Sequence, residues 1–167
     1  IDIKQSSGSL YSIDKDFNVQ THETDIGIAN TFAWSPNNKK FYFCDTLKGV
    51  INSYDYDFNN KRILNKKGFA RFDRGYPDGS TVDADGFLWN CRWGGSCVVR
   101  FDPKGNVDRV IELPVPNVTS CTFGGKDLKT LFITTARIGM TDQELHKAPL
   151  SGNLFALQTD VQGKPDF

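Results

Sequence analysis

Asn30, Asp78 and Thr119 each stand four residues ahead of an apolar position (Trp34, Val82 and Phe123) at which three strand-like segments align. If the units are arranged around an axis, these three oxygen-bearing side chains point toward one place. Amide and carboxylate oxygens favour a hard divalent cation such as Ca2+ or Mg2+, and Zn2+ fits where solvent completes its shell. Asn and Asp also form turn hydrogen bonds just ahead of strands. The spacing by itself leaves both the metal site and the turn open.

Other residues with chemical potential have plainer readings. Asp14-Lys15-Asp16-Phe17-Asn18 and Asp55-Tyr56-Asp57-Phe58-Asn59 imitate the start of an EF-hand loop, but neither has the Gly required at position six, so both read as hairpin turns. His22 falls in an outer strand and His146 in an insertion, with no Ser or Cys motif beside either to act as a nucleophile. Asn117-Val118-Thr119 fits a glycosylation sequon, but Thr119 is better explained by the alignment. Lys61, Arg62, Lys66, Lys67, Arg71 and Arg74 read as the charged defence of an edge strand rather than a docking patch. Cys44, Cys91, Cys97 and Cys121 form neither a C-x-x-C pair nor a zinc spacing and are expected as buried free thiols of a reducing, cytoplasmic compartment.

The 20 Lys and Arg balance 20 Asp and Glu, and this zero net charge argues against nucleic-acid or anionic-membrane binding driven by an overall field. No apolar run approaches the ~18 residues of a membrane span. With 15 Gly, 7 Pro and 13 Phe, the composition is that of short aromatic strands between turns.

The elements that must position the candidate residues come from an internal repeat. Gly49–Asp55, Ser96–Asp102, Gly8–Asp14 and Gly152–Gln158 are copies of one strand. Phe41–Asp45, Leu88–Arg92 and Leu131–Thr135 precede three of them, and Phe32–Pro36, Ser80–Ala84 and Cys121–Gly125 come before those. A fourth strand follows at Arg62–Asn65 and Asn106–Glu112, and as Asn18–His22 in the first unit. Four-stranded antiparallel units at this spacing are the blades of an all-β propeller. The expected division is the end of a blade over 1–29, a blade over 30–74, a blade over 75–117, and a last, incomplete blade over 118–167. Residues 161–167 read as a turn rather than a fourth strand. Thr141 and Glu144 have capping-box spacing, which predicts a short helix in the insertion of the last unit.

Five separated motifs occur in order: Asn30-Thr31-Phe32-Ala33-Trp34-Ser35-Pro36; Tyr76-Pro77-Asp78-Gly79 running to Asp85-Gly86; Leu88-Trp89 with Trp93-Gly94-Gly95; Leu113-Pro114-Val115-Pro116 with Thr119 to Gly125; and Thr134-Thr135-Ala136-Arg137. In these the chain resembles the C-terminal portion of the senescence marker protein (regucalcin)/gluconolactonase family. The resemblance implies a six-bladed propeller that hydrolyses sugar lactones with one divalent metal ion, Ca2+, Zn2+ or Mg2+, at the channel mouth. It makes Asn30 and Asp78 metal ligands and Asp78 the local base. The family's ligand Glu and its substrate-holding Arg and Asn belong to the N-terminal part and have no counterpart here, so no substrate-binding residue is named. The expected partner is a small sugar lactone. An open half-ring is also expected to self-associate or to pair with an N-terminal part. The alternative is a non-catalytic metal-binding or protein-interaction module.

Overall fold

The computed structural model describes residues 5–165. Strands β1 (Gly8–Ile13) and β2 (Val19–Ile26) form a two-stranded antiparallel sheet. Strands β3 (Ala29–Trp34), β4 (Lys40–Asp45), β5 (Val50–Asp57) and β6 (Arg62–Arg71) form a four-stranded sheet in chain order. Strands β7 (Tyr76–Val82), β8 (Leu88–Trp93), β9 (Cys97–Phe101) and β10 (Val107–Glu112) repeat that pattern. Strands β11 (Val118–Gly124), β12 (Thr130–Thr135) and β13 (Leu154–Gln158) make a three-stranded sheet. These up-and-down sheets are propeller blades, and the core is the set of layers between them.

The aromatic runs are strands because both faces of each sheet are covered. Along β4, Phe41 and Phe43 point into a layer with Leu10, Ile26 and Tyr54, while Tyr42 and Cys44 point into the next, with Val82, Leu88, Val99 and Phe101. Along β8, Leu88 belongs to that second layer and Trp89 and Cys91 to a third, with Val118, Leu131 and Ile133. Strands buried on both sides lose the polar alternation of a one-sided sheet. Each full burial of a Phe or Leu side chain contributes about 1.5–3 kcal/mol.

The hairpin turns have the expected mechanism. Asp14 accepts from the Asp16 and Asn18 amides, Asp57 from those of Asn59 and Asn60, and Asp102 from those of Lys104 and Asn106. The predicted helix is α1 (Asp142–Lys147), closed by a capping box in which Glu144 takes the Thr141 amide and Thr141 takes that of Glu144. All four cysteines are buried and free. Residues 161–165 form no strand, and Gly163 bridges to Asp83; residues 166–167 of the predicted terminal turn lie outside the described residues. Among the described residues, no helix is long and apolar enough to cross a membrane.

The inner strands begin earlier than the sequence suggests. Asn30, Asp78 and Thr119 lie inside β3, β7 and β11 rather than ahead of them. Each strand carries one extra residue against its partner at that point, between Asn30 and Ala33, Pro77 and Ser80, and Val118 and Ser120. The bulges let strands continue through segments that look like turns. Pro77 is tolerated because β7 is the edge strand of its sheet and the residue stands at the bulge.

Candidate active site

Strand β7 lies between β3 and β11, so the inner edges of three blades meet along one line. Gly79 permits this approach: a Cβ there would collide with Ser120 Oγ and stand 2.8 Å from the Thr119 carbonyl oxygen. The bulges that flank this contact turn side chains out of the regular alternation, and those of Asn30 and Asp78 enter one cavity of about 390 Å³. Thr46 also lines it, and the remaining wall is apolar: Ile28, Leu47, Tyr76 and Trp93.

That wall sets the electrostatics. Burial pushes the Asp78 carboxyl up to about 6, against the pull of the Gly79 amide and the Asn30 side chain. Asp78 makes no ion pair among the described residues. Asn30 Nδ2 donates to Thr46 Oγ1 at 2.9 Å, and Thr46 in turn donates to the Pro77 carbonyl at 2.8 Å. This fixes the Asn30 amide and leaves Oδ1 as the atom it can present to a cation.

Two further sets of bonds hold the site. Asp45 accepts from the amides of Gly27 and Ile28 at 3.0 Å and of Leu47 at 3.2 Å, pinning the segments that supply Ile28, Thr46 and Leu47. Although burial opposes it, the Ile28, Gly27 and Leu47 amides hold the Asp45 carboxyl below its usual value. Behind Asp78, Thr31 donates to the Asp78 carbonyl at 2.9 Å, and Asn90 Nδ2 donates to the same oxygen at 3.2 Å and to Ser80 Oγ at 2.9 Å. Arg92 donates to Asn90 Oδ1 at 2.9 Å and to the carbonyls of Phe72, Arg74 and Gly75. This buried guanidinium is satisfied by neutral oxygens alone, and burial lowers its pKa to about 10.

The structure therefore brings Asn30 and Asp78 together, whereas the Thr119 hydroxyl pairs with that of Thr134 at 2.8 Å and does not line the cavity. Sequence reasoning missed Thr31, Thr46, Asn90 and Arg92. Two polar residues, Asn90 and Arg92, within the Leu88–Trp93 run of large apolar side chains were the one available signal. Among the described residues, no group of three or more His, Cys, Asp or Glu gathers anywhere. The donors present are two oxygens, one of them a desolvated carboxylate with no cation of the chain to neutralise it. They fit a hard divalent ion whose other ligands come from solvent, substrate or other segments.

Residues 1–137 match the family model described as the SMP-30/gluconolactonase/LRE-like region. Regucalcin of Sus scrofa is 33% identical over 169 residues, covering 99% of this chain and 56% of that protein. The crystal structure of a calcium-binding protein, regucalcin, from Agrobacterium tumefaciens superposes with a TM-score of 0.91 at 31% identity, covering 97% of this chain and 56% of that one. A gluconolactonase from Xanthomonas campestris, described as important in glucose secondary metabolic pathways, superposes at 0.67 with 27% identity over 80% of this chain and 43% of its own. The chain thus spans about half the length of the relatives it matches.

Proposed function

The chain belongs to the SMP-30/gluconolactonase/LRE-like family, and on that premise we propose that it carries the C-terminal part of a propeller hydrolysing sugar lactones with one divalent metal ion. The observation that supports this reading is the convergence of Asn30 and Asp78 in one cavity, where burial raises the Asp78 carboxyl to about 6. A bound divalent cation would supply Lewis-acid polarisation of a carbonyl and offset the negative charge that develops on its oxygen.

The chain's own residues do the rest. Asn30, neutral and fixed by Thr46, binds through Oδ1 and orients. Asp78 is the base: its carboxylate takes a proton from water as the water oxygen bonds to the lactone carbonyl carbon. The ring C–O bond then breaks, and the proton passes to the departing alkoxide, leaving an open-chain hydroxy acid. The apolar wall raises the basicity of the Asp78 carboxylate in the cation-free chain, and a bound cation would draw it back toward the ionised form in which it accepts that proton. Thr31, Asn90 and Arg92 do not touch the reacting atoms and act by holding the Asp78 backbone.

The test is hydrolysis of glucono-δ-lactone by the full-length propeller. Asp78→Ala is expected to abolish turnover, and Asn30→Ala to weaken cation binding. Near-wild-type hydrolysis by the Asp78 variant overturns the assignment. Cation binding with no hydrolysis in the unmutated protein favours the non-catalytic module.

A further inference from the structure

Beside the Asn30–Asp78 pair, the cavity has a feature with no role so far: an aromatic wall. Tyr76 and Trp93 are register partners across β7 and β8. Directly opposed residues of an antiparallel pair project to the same face, and both side chains line the cavity. Tyr76 is 54% exposed and Leu47, which lines the same cavity, is 50% exposed, an apolar rim left open beside a desolvated carboxylate.

The wall is held rigid. Gly75, at φ +67°, packs so closely that a Cβ would stand 2.6 Å from both the Trp93 carbonyl oxygen and the Gly95 nitrogen. Arg92 ties down the carbonyls of Phe72, Arg74 and Gly75 just ahead of Tyr76, and the Gly95 amide bonds back to the Arg92 carbonyl. The backbone that carries both aromatic residues is therefore clamped on either side of the β7–β8 pair. Preorganisation of this kind is what a binding surface needs and what a mere strand terminus does not.

We propose that Trp93, with Tyr76 beside it, is the platform on which the ring of a sugar lactone stacks, its C–H face on the aromatic wall and its carbonyl edge toward Asn30 and Asp78. The inference rests on the lactonase reading and adds a substrate-binding subsite to it. A cavity of about 390 Å³ is the size class of a single small ring ligand, and an apolar wall with a few convergent polar groups is the usual form of such a site. Tyr and Trp suit the task because each pairs a broad apolar face with a polar edge.

Binding of a sugar δ-lactam, in which ring nitrogen replaces ring oxygen and hydrolysis is blocked, is measured by calorimetry on the Ca2+-loaded full chain. Trp93→Ala is expected to weaken binding about tenfold, and Trp93→Phe, which keeps a flat apolar ring, about twofold. Tyr76→Ser, at an exposed position that leaves the fold intact, is expected to fall between them, with circular dichroism confirming the folded state of each variant. Wild-type affinity in both Trp93→Ala and Tyr76→Ser, or no lactam binding by the unmutated chain, overturns the platform. Lactone turnover in the full-length propeller is scored separately. Hydrolysis with a KM unmoved by Trp93→Ala removes the platform and leaves the lactonase reading standing. Lactam binding that depends on Trp93, without hydrolysis, does the reverse.

Discussion

Strand β7 has an aspartate near its start and another just past its end, and the two are treated in opposite ways. Asp83 is fully buried and fully partnered. Its carboxylate accepts from Trp89 Nε1 at 2.8 Å, from Arg100 Nε at 2.9 Å and its terminal nitrogen at 2.7 Å, and from the Asp85 and Phe87 amides. Arg100 is itself shared with Asp108 and lies 3.8 Å above the Phe87 ring. Asp78 is half-buried against Tyr76, Trp93, Ile28 and Leu47 with no cation opposite it. A carboxylate whose lone pairs are filled by its own chain holds a hairpin together. One left desolvated with no cation opposite it weakens the fold unless something outside the chain completes it.

The sharpest way to break the comparison is at Asp83. Asp83→Ala leaves Arg100 buried with only Asp108 for a partner and removes the acceptor of Trp89, so a loss of about 3–5 kcal/mol in denaturant unfolding is expected. Adding Arg100→Met should recover part of that loss, because the penalty lies in the stranded charge. An Asp83→Ala chain within about 1 kcal/mol of wild type would mean that the network fixes geometry without contributing stability.

Asp78→Asn is expected to act in the other direction. Between the ordinary aspartate value of 3.8 and about 6, the cation-free folded chain keeps a proton on Asp78 that the unfolded chain has already released. Because the folded state then binds more protons, stability falls as pH rises through that window. Asp78→Asn should remove this slope and be the more stable protein at pH 7 in chelator, with the two converging below pH 4. Saturating Ca2+ should raise the unfolding midpoint of the wild type and leave that of the variant where it was. Equal slopes for the two proteins between pH 4 and 6 would show that Asp78 is not held as the cavity implies.

The two aspartates also mark what could be read without coordinates. The repeat placed β7 and β8 and aligned Asn30 with Asp78, because burial on both faces writes itself into local sequence as aromatic and β-branched runs. Thr141 and Glu144 announced α1 for the same local reason. The start of β7 was hidden, since Pro77-Asp78-Gly79 carries turn residues that a bulge on an edge strand absorbs. The roles of Asn90, Arg92 and Arg100 were not legible, because most of their partners lie 8 to 20 residues away or in another blade, as in Arg92 to Phe72 and Asn90 to Thr31. The pairing of Tyr76 with Trp93 depends on register, which no single strand encodes.

The smallest effect is expected where the site meets the core. Thr31 is buried at φ +53°, a left-handed conformation that a β-branched residue adopts only under strain. Its hydroxyl donates to the Asp78 carbonyl and accepts from Asn90, Ser80 and Cys44. Thr31→Val keeps shape and strain and deletes only these bonds. Asn90 still reaches the Asp78 carbonyl, so the expected loss is about 1 kcal/mol in stability. If the network exists to aim Asp78, Ca2+ affinity should drop several-fold in the same variant, while the pH slope between 4 and 6 persists because the carboxylate stays desolvated. Stability lost with Ca2+ affinity unchanged would assign Thr31 to the fold alone, and the division between the two ends of β7 would then run through Asp78 itself rather than around it.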